Sequence, residues 1–271
     1  MAIVDCHVHL MPPRLARAIR RFFEQYIGDQ LVYPAEVDAV LDRHLADGVD
    51  AVWNLPYAHK PGMADDLNAG MAEVSAQYRD HAVQIVNGCT VHPEDPSPGD
   101  SVRRAYEVHG ARVLKLHCSV GNYDADDVRL DPVYDAAAEM KMPVIVHVGH
   151  DVSGHTHDHE LRTIDTAAGR HGDTTLIVAH CGHYGHNETL DLMAKHPNLW
   201  ADLTPVVFDR PALSAPDFER FGSRLLVGTD APNVGLTLAS QLEWLRDLEL
   251  ADKTLAGVLG ETADRLIPRL T

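Results

Sequence analysis

Several features are scarce in this 271-residue chain, and each scarcity excludes a class of protein. There are four cysteines, Cys6, Cys89, Cys118 and Cys181, with no CxxC pair, so neither a disulfide framework nor a thiolate zinc finger is indicated. Cations are short: 23 Lys+Arg face 40 Asp+Glu, a formal charge of −17. Sequence-independent binding to nucleic acid or to an anionic membrane needs a basic footprint, so neither partner is expected. No run approaches the roughly 20 uninterrupted apolar residues of a membrane span. The opening MAIVDCHVHL is too short and polar for a signal peptide, which makes a cytoplasmic protein the expectation. There is also no low-complexity linker, composition break or internal repeat, so residues 1–271 are expected to form one domain. With 45% hydrophobic and 23% charged residues, that domain is an ordinary globular one.

What the chain has in excess is histidine, 18 of them. It also has a rhythm. Short β-branched runs recur at Ala2–His9, Ala51–Leu55, Ala82–Cys89, Arg112–Cys118, Pro143–Val148, Thr175–His180, Leu199–Leu203 and Arg224–Thr229. Helix-like segments alternate with them, among them Glu36–Ala46, Asp65–Tyr78, Pro132–Met140, Asp158–Arg170 and Leu190–Lys195. Eight strand–helix units in about 250 residues specify an α/β fold of the (β/α)8 TIM-barrel type. A doubly wound open sheet would need a Gly-rich turn after the first strand, where this chain reads His-Leu-Met-Pro-Pro. Arg14–Gly28 reads as an extra helix, and Gly149–His159 as a long loop. Both are expected at the C-terminal rim, where barrel loops build active sites.

Potential ligands sit at the ends of the apolar runs. Strand alternation places Asp5, His7 and His9 on one face, and two histidines two apart project side by side at a spacing suited to chelation. PVIVH ends at His147, TLIVAH at His180 and LLVGTD at Asp230. A barrel gathers such ends around one axis. Imidazoles with one carboxylate suit a divalent transition metal, zinc first, with manganese, iron, cobalt or nickel as alternatives, over calcium or magnesium. Asp5 reads either as a carboxylate orienting a ligand histidine or as a packing residue at the barrel bottom.

The motifs DCHVHL (5–10), GARVLKLHC (110–118), PVIVHVG (143–149), LIVAHCG (176–182) and LLVGTDAP (225–232), with VLGETADRLI (258–267) as a closing helix, resemble the amidohydrolase superfamily over essentially the whole chain. The resemblance is to the amidohydrolase-related, amidohydrolase-2-like branch of metal-dependent hydrolases. It implies a metal held by His7, His9, His147 and Asp230. It makes His180 either a ligand of a second metal or a substrate-polarising residue, and Asp230 the general base for water activated by the cation.

Lys115 shares a face with Val113 and His117. The resemblance offers a carboxylated lysine bridging two metals, and the remaining reading is an unmodified lysine binding an anionic group. One ion is favoured over two. His117, Tyr123, His150 and His183 are the expected substrate contacts, with Asn122 beside them. His155, His157, His159 and His186 read as solvated loop histidines. Cys118 and Cys181 are expected to turn outward as inert buried thiols. The expected activity is hydrolysis of a small amide, lactam, lactone or ester. The alternative is non-oxidative decarboxylation or hydration of a small carboxylic acid. A non-catalytic metal-binding barrel is disfavoured, because a base beside an open metal site has no structural use. A small molecule is the expected partner, and a homo-oligomer is compatible with the sequence.

Overall fold

The computed structural model describes residues 2–149 and 156–269. All eight expected strands are present: β1 (Val4–Val8), β2 (Ala51–Asn54), β3 (Gln84–Thr90), β4 (Val113–Leu116), β5 (Val144–Val146), β6 (Leu176–Val178), β7 (Leu199–Asp202) and β8 (Leu225–Leu226). They pair in parallel in sequence order, β1 through β8. The sheet closes where Cys6 N donates to Val227 O at 3.0 Å and Asp230 N to His7 O at 2.8 Å, with a parallel bridge between Val8 and Ala231. This is the (β/α)8 barrel that the strand–helix rhythm implies.

Helices follow the strands much as the pattern suggests: Pro13–Ile27, Val37–Ala46, Ala64–Gln77, Asp131–Glu139, His157–Arg170 and His186–Lys195. Pro13 and Pro132 stand in the first turns of their helices, where a missing N–H costs nothing. The helix His157–Arg170 takes the last three residues of the segment read as a loop; Thr156 caps it by accepting from His159 N.

The core has two layers. An inner cluster draws on every strand, including Val4, Cys6, Trp53, Val86, Val113, Ile145, Ile177 and Leu226, with half-buried Trp200 packed against it and Ala263 and Ile267 closing one end. An outer layer, including Val8, Leu41, Leu114, Val146, Leu161 and Leu199, joins the strands to the helices. Burying each large aliphatic side chain contributes about 1.5–3 kcal/mol before chain entropy is counted. The inner layer therefore supplies a stiff floor beneath the strand ends.

Strand ends are where sequence parity fails. Val4 and Cys6 point inward, yet Val8 belongs to the outer layer, and the pairing of β1 with β2 shifts register between Asp5 and Val8. The irregularity brings His7 inward beside Cys6, as a bulge does. Asp5 thus falls on the outer side, opposite to expectation. It accepts from His44 Nε2 on the neighbouring helix (2.8 Å), from Thr229 Oγ1 (2.6 Å) and from the amides of His7 and Thr229. It pins β1 to β8 and to a helix, and it touches no imidazole of the mouth.

Candidate metal centre

At the C-terminal mouth the strand ends deliver their histidines and carboxylates by different means. β1 carries His7, and His9 lies just past its end. Gly228, just past β8, lets that segment lie against them, because a Cβ there would collide with Thr204 Oγ1 and His7 Cβ. Asp230 is then turned into the mouth by a left-handed backbone, φ 66°. His180 lies beyond the end of β6, in a turn where His180, Cys181, Gly182 and His183 all have φ between 46° and 73°. Each non-glycine in that region costs on the order of 1–2 kcal/mol. Such strain gathers at functional sites, where packing over-determines the conformation.

Two donor sets lie within 4.8 Å among the described residues: His7, His9 and Asp230, and His7, His180 and Asp202. Their hydrogen bonds tell them apart. His7 Nδ1 sits 3.0 Å from Asp202 Oδ2, and His9 Nδ1 contacts the carbonyl of Leu55. Each Nδ1 faces an oxygen that can only accept, so each carries the proton. The lone pairs of both Nε2 atoms are left facing the mouth, where Asp230 Oδ1 lies 3.0 Å from His9 Nε2 and 3.7 Å from His7 Nε2. A lone pair against a carboxylate calls for a positive charge between them, which is what a divalent cation would supply. His147 adds a further donor, since its Nε2 is buried without a hydrogen-bond partner among the described residues. The residues present therefore fit a His/carboxylate-bound divalent metal.

His147 stands one ring away from the first set. It stacks on His117 with centroids 3.7 Å apart, and its Nδ1 lies 3.3 Å from His180 Nε2. His180 Nδ1 faces Thr204 O at 3.3 Å. Lys115 is wholly buried, with Nζ 3.1 Å from His7 Nε2. Burial lowers its pKa to about 8, against the opposing pull of Asp202 and Asp230. Burial and the neighbouring Lys115 charge keep His7 and His117 neutral. Burial, together with the facing histidines, does the same for His147 and lowers His180 to about 4. For Asp230, burial pushes upward, but the facing rings of His9, His7 and His180 hold it well below the usual carboxylate range. Burial likewise pushes Asp202 upward, but His7, His180 and Lys115 outweigh it and keep the carboxyl ionised.

The expected substrate contacts separate. His117 is at the mouth. His183 is buried on the strained turn, its ring 3.8 Å from that of Tyr184. Tyr123 is not at the rim: it is 5% exposed, packed on His92 in the outer layer, with a buried hydroxyl lacking a partner among the described residues. The tight turn ending at Asn122, φ 55°, immediately precedes it. His150 lies outside the described residues. Cys118 and Cys181 are buried in the outer layer, Cys118 in line with strand parity and Cys181 by way of the left-handed turn.

Two residues at the mouth escaped the sequence reading. Tyr57, past β2, lies 5.3 Å from the His9 ring and 5.1 Å from the His117 ring. Asp202 ends β7, two residues after inward-packed Trp200. The alternation from Trp200 was the available signal for Asp202; nothing in the sequence marks Tyr57.

A parallel (β/α)8 barrel with histidines and a carboxylate converging at its C-terminal mouth defines a class, the metal-centred barrel proteins. Within it, a family model described as amidohydrolase (Amidohydro_2) matches residues 4–269, and the chain belongs to that family. No curated protein matches the chain by sequence. Solved structures share its fold at low identity. An uncharacterised TIM-barrel protein from Bordetella bronchiseptica is 20% identical, with 98% of each chain covered and a TM-score of 0.75. A 5-carboxyvanillate decarboxylase from Novosphingobium aromaticivorans, solved with manganese and a substituted nitrobenzoic acid, is 14% identical, with 98% of this chain and 94% of that chain covered and a TM-score of 0.67. A dihydroxybenzoic acid decarboxylase from Polaromonas, solved with manganese and 2-nitroresorcinol, is 10% identical, with 98% and 96% covered and a TM-score of 0.69.

Proposed function

We propose that this protein is a metal-dependent, non-oxidative decarboxylase of a small planar carboxylic acid, the alternative that stood second to hydrolysis in the sequence. The observation that carries the reading is Lys115, a buried amine 3.1 Å from the nitrogen lone pair that would face the cation. Once a cation takes that lone pair, the ammonium needs another acceptor. A neutral amide or lactone offers no charge to offset its desolvation, whereas a carboxylate does.

In this reading His7 Nε2, His9 Nε2 and Asp230 hold one divalent metal, with His147 and His180 flanking it. When bound, the metal would act as a Lewis acid toward the substrate's oxygens. Lys115 clamps the carboxylate. At neutral pH it is also the buried group able to give up a proton, since His7, His117, His147 and His180 are held neutral and the two carboxylates ionised. The carbon–carbon bond breaks, carbon dioxide departs, and the electron pair left on carbon takes the Lys115 proton. Solvent then reprotonates the amine. The stacked His117 and His147 rings, with Tyr57 tilted 59° against His117, offer aromatic surface suited to an aromatic acid. The two decarboxylases of like fold, each solved with manganese and an aromatic ligand, support this substrate class, and manganese joins zinc as a metal to try.

Hydrolysis is the second reading, favoured by the ionised Asp230 beside His9, a carboxylate placed to accept a proton from water. The two readings part in ¹⁸O-labelled water. Protein loaded with manganese or zinc is offered a panel of hydroxybenzoic acids and, separately, small lactones and amides. Release of carbon dioxide from an acid, with no label in the organic product, is expected. Label entering a lactone or amide product, with no carbon dioxide from any acid, would overturn the decarboxylase reading. Lys115→Met should cut carbon dioxide release by about 10²-fold or more while keeping the metal.

A further inference from the structure

The site leaves one wholly buried carboxylate unused. Asp202 touches neither solvent nor the Nε2 atoms that face the cation. It reaches both sides of the mouth. Oδ2 accepts from the ring of His7 at 3.0 Å, while Oδ1 accepts from the backbone amides of His180 (2.9 Å) and Thr204 (3.2 Å). One side chain at the end of β7 thus contacts a histidine of β1 through its imidazole and a histidine beyond β6 through its main chain.

From this bridge we infer that Asp202 is a positioning residue that fixes the tautomer of His7 and the strained turn of His180, and is not itself a metal ligand. The inference rests on the reading that His7 Nε2 faces the cation. Both carboxylate oxygens are already engaged by N–H donors, three in all, and a metal lodged between Asp202 and His7 Nδ1 would have to displace the His7 bond. The proton that Asp202 draws to His7 Nδ1 leaves Nε2 as the acceptor, consistent with the Lys115 amine lying against that atom. The same carboxylate satisfies the buried amide of His180, a residue held at a left-handed φ of 57°. A carboxylate behind a metal-facing histidine sets ring orientation as well as tautomer, and losing such a partner costs 10–100-fold in metal affinity in other systems.

Asp202→Asn separates the two handles. An amide oxygen can still accept from the His180 and Thr204 amides, but its NH₂ group then points at His7 Nδ1. That donor forces the proton of His7 onto Nε2, aimed at the cation. Flipping the amide restores the His7 contact only by setting NH₂ against two backbone N–H groups. A carboxylate serving only as packing would tolerate this nearly isosteric change.

The test uses full-length protein and Zn²⁺ alone as the probe. Affinity is measured by competition with a chromophoric chelator, and ¹⁵N NMR of the histidine rings reports the tautomer in metal-free protein. Wild type should bind about one equivalent and show His7 protonated at Nδ1. Asp202→Asn should show the Nε2–H tautomer at His7 and about 10- to 100-fold weaker binding, with unchanged circular dichroism. Unchanged affinity and tautomer in Asp202→Asn would overturn the inference. If the variant does not fold, the wild-type ring decides: Nδ1–H supports the inference and Nε2–H overturns it. Wild-type protein that binds no Zn²⁺ while His7 is still protonated at Nδ1 sinks the metal reading and leaves the tautomer claim standing.

Discussion

Histidine meets aspartate at the same distance in two regions of this molecule, with different consequences. At the mouth, His7 Nδ1 and Asp202 Oδ2 lie 3.0 Å apart, with neither side chain more than 1% exposed. On the helix ring, His171 Nε2 and Asp131 Oδ1 also lie 3.0 Å apart, but the Asp131 carboxylate is 37% exposed and shared with Arg170. His196 and His159 pair with Asp165 and Asp124 in the same outer setting. Water and salt screen the outer pairs, so each is worth about 1 kcal/mol or less. Burial of the inner pair makes the direction of one proton decisive, since a buried donor or acceptor without a partner costs far more. An excess of histidine is therefore not in itself a sign of chemistry. The histidines that matter are those a strand end turns into the barrel.

Three changes would break or sharpen this contrast. The largest effect is expected at the mouth. His9→Ala should abolish tight metal binding outright, with the fold retained, as read by metal content after dialysis and by circular dichroism. Metal content near wild type would remove His9 from the centre.

A middle effect is expected at another His–Asp pair, buried but remote from the mouth. His44 Nε2 lies 2.8 Å from Asp5 Oδ2, and both side chains are wholly buried. Burial alone would lower the His44 pKa, but the hydrogen bond and charge of Asp5 override it and raise the pKa. A raised folded-state value means stabilisation that is fully present below the unfolded value near 6.5 and lost as pH rises through the folded one. His44→Leu should therefore destabilise the protein by about 2–4 kcal/mol near pH 6 in urea unfolding, and by less near pH 9, with metal binding unaffected. A difference that grows with pH would contradict the assignment.

The smallest effect is expected on the helix ring. His171→Ala should shift stability by about 1 kcal/mol or less and leave metal content unchanged. A loss as large as that of His44→Leu would erase the distinction between buried and screened pairs.

The barrel was legible because its evidence is periodic: eight β-branched runs alternating with amphipathic segments leave few topologies. His7, His9, His147, His180 and Asp230 were legible because a barrel must gather its strand ends. What could not be read depended on local departures from periodicity. Parity put Asp5 inward, and the register shift in β1 moved it outward while bringing His7 in. Counting from inward-packed Ile177 would point His180 outward, and only a left-handed turn returns it to the mouth. Tyr123 looked like a rim residue because the turn before it, at Asn122, has no periodic signature.

The central claim is that the lone pairs of His7 Nε2 and His9 Nε2, facing Asp230, mark the place of one divalent cation. Anomalous X-ray scattering from crystals of manganese-loaded protein tests it most directly. The account predicts a single strong peak about 2.0–2.2 Å from both Nε2 atoms and from an Asp230 oxygen, with Asp202 still on His7 Nδ1. A peak between His7 Nδ1 and Asp202, or none at the mouth in protein shown to carry the metal, would contradict it.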